Sequence, residues 1–183
     1  MNGTRLASGR TRVRNPINRA PSPLLAVGLP WASIMFAAMA SFSPIIASAP
    51  VLPPLSFMML LAWRMLRPTL LPIWAGLPLG AWDDLYSGQP FGSGIVLFSG
   101  AMLAMEAIDA RFLWRGFAQD WLAGVALLAA YLLLSAGFAG LAVGYPLPMT
   151  IGPQLLLAIV LFPPVTRIVA VLDRVRLLPL RRI

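Results

Sequence analysis

Residues 80–92 read GAWDDLYSGQPFG and set two carboxylates, Asp83 and Asp84, side by side in a net of glycines. A carboxylate held within a membrane can bind a cation, a proton or an arginine; at a membrane surface it is a solvated loop acid. Aspartyl-protease chemistry needs two carboxylates converging on one site. Neighbours on a helix point about 100° apart, so this pair diverges. The remaining inventory for chemistry is small. Histidine, cysteine and lysine are absent, and all 14 basic residues are arginine. That excludes disulfides, Cys/His metal sites, Cys or His catalysts, a lysine Schiff base and a Walker-type phosphate lysine. No serine sits with a recognisable base. The sequence therefore reads as non-enzymatic, with no catalytic residue, no metal ligand set and no cofactor.

The elements that must position the pair follow from composition. Of 183 residues, 59% are hydrophobic and 11% charged, against about 25% charged in an ordinary soluble domain. A soluble fold of this length has no way to hide so much apolar surface. Lipid is the expected solvent. The net charge of +8 would suit nucleic acid only if it were gathered on a wettable face. Here the arginines flank apolar runs, which suits anionic lipid at a membrane surface and excludes a nucleic-acid partner.

The pattern predicts an all-α, polytopic membrane protein of about six transmembrane helices. Residues 1–23 carry Arg5, Arg10, Arg12, Arg14 and Arg19 among prolines and read as a disordered basic tail. The transmembrane domain covers 24–172. Its spans are expected at 24–47, 50–66, 68–84, 91–108, 120–143 and 150–172. The first is too long for a signal-peptide core of about 7–15 residues, although Ala47-Ser48-Ala49 resembles a cleavage site. The second is the shortest, and Arg64 must snorkel to the interface for it to cross. Pro72 and Pro78 are expected to bend the third. Residues 173–183 form a second basic tail.

Six crossings put both termini and all 14 arginines on or near one face, which the positive-inside rule makes cytoplasmic. Trp63, Trp114 and Trp121 would mark that interface; Trp82, Tyr86 and Tyr145 the outer one. The aspartate pair then falls at, or slightly below, the outer interface. One of the two is expected to face the bundle and the other water, with a structural role ahead of ion binding or conduction. Gly76-x-x-x-Gly80 would allow close approach of another helix. Gly88, Gly92 and Gly94 bracket Gln89-Pro90-Phe91 and fit a tight turn re-entering the membrane.

The series Gly80-x3-Asp84-x3-Gly88-x-Pro90-x-Gly92 between two apolar segments resembles the signature of the rod shape-determining MreD family. The short six-span chain with a polar tail at each end resembles that family too; the long arginine-rich tail departs from it. The resemblance singles out Asp84 as the inward acid. It implies a bacterial inner-membrane scaffold of the cell-wall elongation machinery. Its implied direct partner is the bitopic MreC, and it also implies links, direct or indirect, to MreB, RodA and a penicillin-binding transpeptidase. The family's fold is similar to vitamin-binding subunits of energy-coupling-factor transporters, which supplies an alternative function.

A second cluster, Glu106, Asp109, Arg111 and Arg115, lies at the inner end of span four. An unpaired acid there is costly, so Glu106 is expected to pair with Arg167 or Arg111 and fix the helix end. Asp173 with Arg174 and Arg176 reads as an interfacial charge cluster.

Overall fold

A computed structural model describes residues 23–40, 53–111, 116–143 and 148–177. They form six α-helices: α1 Pro23–Met39, α2 Leu55–Leu66, α3 Gly76–Ser87, α4 Ser93–Arg111, α5 Phe117–Val143 and α6 Pro148–Arg176. A 3-10 turn, Ile73–Ala75, leads into α3, and no strand occurs among the described residues. The basic tail as far as residue 22, the upper part of the first expected span and its Ala47–Ala49 site, Trp114, Arg115 and Tyr145 lie outside the described residues.

Among the described residues three helices are long and apolar enough to cross a membrane, at Ser93–Arg111, Ala118–Gly140 and Ile151–Arg176. The others are shorter. The 12 residues of α2 give about 18 Å of helix, against a hydrocarbon core of about 30 Å. What shortens it is the sequence at its two ends, where Pro53-Pro54 precedes it and Arg67 caps it. The stretch 68–72 is not helical, so the third element begins later than expected. Pro72 stands just before the 3-10 turn. Pro78 falls in the first turn of α3, where its missing N–H would have had no partner. Both prolines mark a start instead of a bend.

The short α2 is the centre of the bundle. It packs against α1, α4, α5 and α6, while α1–α3, α3–α4, α4–α5, α5–α6 and α6–α1 contacts close a ring around it. From Ser56 to Arg64 every residue of α2 is buried. Trp63 is fully enclosed, not interfacial as expected, and donates its Nε1–H to Ser33 Oγ at 2.9 Å. Phe57 stacks on Tyr131 at 4.2 Å and meets Phe98 edge-on at 5.4 Å.

The outside of the ring is apolar. Phe36, Trp74, Leu77, Leu85, Leu103, Leu133, Leu156 and Val160 are each more than half exposed, while Arg64, Asp83, Asp84, Asp173 and Arg176 are buried. Water would penalise both halves of that arrangement. Hydrocarbon favours both, since polar groups in a membrane bundle turn inward and pair. The chain is a membrane protein by this polarity and by its three long apolar helices.

Helix direction sorts the polar residues to two ends. The C-terminal ends of α2, α4 and α6 meet around Arg64, Arg67, Glu106, Asp109, Asp173 and Arg176. The start of α1 joins them through Ala26. Pro30 has no N–H to offer the Ala26 carbonyl one turn back, and Arg176 supplies the donor at 3.1 Å. At the opposite end lie Ser56, the aspartate pair and the α3–α4 turn.

Candidate functional site

Helix α3 runs on to Ser87, so Asp83 and Asp84 sit about one turn inside it. Both are buried, at 3% and 6% exposure. The expectation that one faces water fails because α2 meets Asp83 and α4 folds tightly back over Asp84. Their divergence sends them to different partners. Asp83 accepts the Ser56 hydroxyl of α2 at 2.5 Å. Asp84 turns to α4, where it accepts the Gly92 N–H at 2.8 Å, the Gly94 N–H at 2.7 Å and the Ser93 hydroxyl at 3.3 Å.

Asp84 is in effect the missing N-cap of α4. The Gly92 carbonyl accepts the Val96 N–H at 3.1 Å, as an N-cap residue does. Glycine has no side chain with which to cap. The first amides of a helix need acceptors and carry the positive end of its dipole. A carboxylate reaching over from α3 meets both needs. The turn that brings it there uses two left-handed glycines: Gly88 caps α3 at φ 67°, and Gly92 has φ 102°. Pro90 accepts the Ser93 N–H at 3.0 Å and closes the turn.

Close helix approach makes this reach possible. A Cβ on Gly76 would stand 2.8 Å from Ser99 Cα, and one on Gly80 would stand 2.6 Å from the Gly94 carbonyl carbon. A Cβ on Gly94 would meet Asp84 Oδ1 at 2.7 Å. Gly76 and Gly80 therefore seat α4 of the same chain. Gly76, Gly80, Asp83, Asp84, Gly88, Pro90 and Gly92 are brought into one unit by these contacts. Two residues complete it that sequence reasoning missed. Ser56 gave no signal, being one hydroxyl in an apolar helix 27 positions from Asp83. Gly94 was noted only for the turn, yet it is where the two backbones touch.

The other end is built from ions. Buried Arg64 does not snorkel. It donates to the Pro68 carbonyl and pairs with Glu106 at 2.5 Å and Asp109 at 3.1 Å. Glu106 thus pairs across the bundle with α2, not with Arg167 or Arg111, both of which are exposed. Arg67 meets Asp173 at 3.0 Å, and Asp173 meets Arg176 at 2.9 Å. Asp173, Arg174 and Arg176 belong to α6 and not to a tail. No family model, curated protein or solved structure matches the chain.

Proposed function

We propose that this protein is a non-enzymatic scaffold of the bacterial cell-wall elongation machinery, similar to the MreD family, and works by binding an MreC-like bitopic partner. In this reading it resides in the inner membrane, crosses it six times, keeps both termini in the cytoplasm and sets its arginines on or near that side. Links to MreB, RodA and the transpeptidase, direct or indirect, belong to the same reading. One observation supports the reading above others. The residues that carry the resemblance, Gly80, Asp84, Gly88, Pro90 and Gly92, are not scattered matches: they make one capped and closely packed turn. Each carboxylate of the pair is committed to a neighbouring helix, which favours a rigid binding body over catalysis.

Depletion in a rod-shaped host tests the function. Cells are expected to round, and the tagged protein to co-purify with the MreC-like partner. Rods that keep their shape after full depletion would refute it. A sharp thermal shift of the purified protein with a vitamin would instead favour a transporter subunit. Sidedness has its own test. The chain lacks cysteine, so Gln89→Cys is a unique label site, expected to react with an impermeant maleimide from outside the cell only.

A further inference from the structure

Arg167 is out of place by ordinary membrane rules. It lies on α6, within the most apolar of the three candidate spans, about 9 Å of helix before Asp173. It is exposed, as are Pro163 and Pro164. Leu156, Val160, Ile168 and Val171 are each more than half exposed on the same helix. Helical spacing places this guanidinium inside an apolar stripe that continues on both sides of it. Pro163 and Pro164 also deprive the Ile159 and Val160 carbonyls of their usual helical donors. A charge in such a segment needs a partner.

Among the described residues no carboxylate pairs with Arg167, and all six acids of the sequence are engaged. Asp83 holds Ser56, Asp84 caps α4, Glu106 and Asp109 hold Arg64, and Asp173 holds Arg67 and Arg176. Asp120 also has a partner. A second copy would bring the same committed acids. The anion must come from another molecule.

We infer that the exposed face of α6 around Arg167 docks a transmembrane helix of another polypeptide that carries an Asp or Glu level with the guanidinium. A lipid phosphate would match a charge at the end of an apolar stripe. A helix with one acid among apolar residues matches a charge within it. The inference rests on the scaffold reading only for the source of that helix.

The test uses the full chain in phosphatidylcholine vesicles at mildly alkaline pH. The probes are synthetic single-span leucine–alanine peptides bearing Glu, Gln or Lys at the matching depth. A fluorophore at Leu103→Cys, the sole thiol, exposed on α4 and off this face, reports binding by energy transfer. The Glu peptide is expected to bind about tenfold more tightly than the Gln peptide, and the Lys peptide most weakly. Arg167→Lys should keep the preference, and Arg167→Gln, with unfolding unchanged, should lose it. Equal binding of the Glu and Gln peptides overturns the inference, as does a preference that survives in Arg167→Gln. A final arm adds phosphatidylglycerol. Loss of the Glu preference there assigns Arg167 to lipid phosphate and overturns the docking face; persistence supports it. No elongation protein enters this experiment, so its failure and that of the scaffold reading are separable.

Discussion

The two polar ends of the bundle solve one problem by different means. At the α2–α4–α6 end, buried charge is met by opposite charge, through Arg64 with Glu106 and Asp109, and Arg67 with Asp173. At the α3–α4 turn, buried carboxylates meet only neutral donors: the Ser56 and Ser93 hydroxyls, two backbone amides and the dipole of α4. The difference follows from where cations are available. No arginine occurs between Arg67 and Arg111, so the turn has only the backbone to draw on. An acid held by amides depends on the path of the main chain, and therefore on glycines. Acids held by guanidinium groups depend on side chains and tolerate more backbone variation.

The largest expected effect tests the turn. Asp84→Ala removes a charged acceptor from two amides, at about 1.5–3 kcal/mol per bond, so a loss of about 4 kcal/mol is expected in detergent unfolding titrations. An unchanged unfolding midpoint would break the comparison at its outer end. Next comes the ion-paired end. Glu106→Gln with Asp109→Asn should cost about 3 kcal/mol by stranding the buried Arg64 guanidinium. Adding Arg64→Met should recover at least half of it, whereas no added substitution on α2 should rescue Asp84→Ala.

Gly80→Ala should cost about 2–3 kcal/mol by forcing α3 and α4 apart. It should be strongly non-additive with Asp84→Ala, because both act on one contact; simple addition would mean that the glycine and the cap are independent. The smallest effect is Arg67→Gln. Arg67 is half exposed, so its pair contributes about 1 kcal/mol or less. High salt should weaken that contribution and leave the capped turn unmoved, which melting curves at two ionic strengths would read.

The sequence made parts of this visible and concealed others for a physical reason. Composition shows the helices. The Asp84–Gly88–Pro90–Gly92 spacing shows the turn, because positive φ and chain reversal leave marks on local sequence. Burial leaves no such mark here. In water an apolar stripe reveals the inward face, but in lipid both faces are apolar, so nothing distinguished α2 as the central helix. Arg64 followed the interfacial pattern of a snorkelling residue. Its acid partner lies 42 positions away, beyond any local rule. For the same reason Trp63 read as an interfacial anchor, although it lies in the core.

The shortness of α2 bears on how the chain is made. A 12-residue helix carrying a guanidinium is a poor candidate to partition into lipid by itself, because it is too short to cross the hydrocarbon core. Glu106, the first of its acids, is synthesised 42 residues later, roughly 2–8 s at about 5–20 residues per second. Through that interval the Arg64 guanidinium has no countercharge from α4, so the innermost helix of the finished bundle acquires its ion pairs out of chain order.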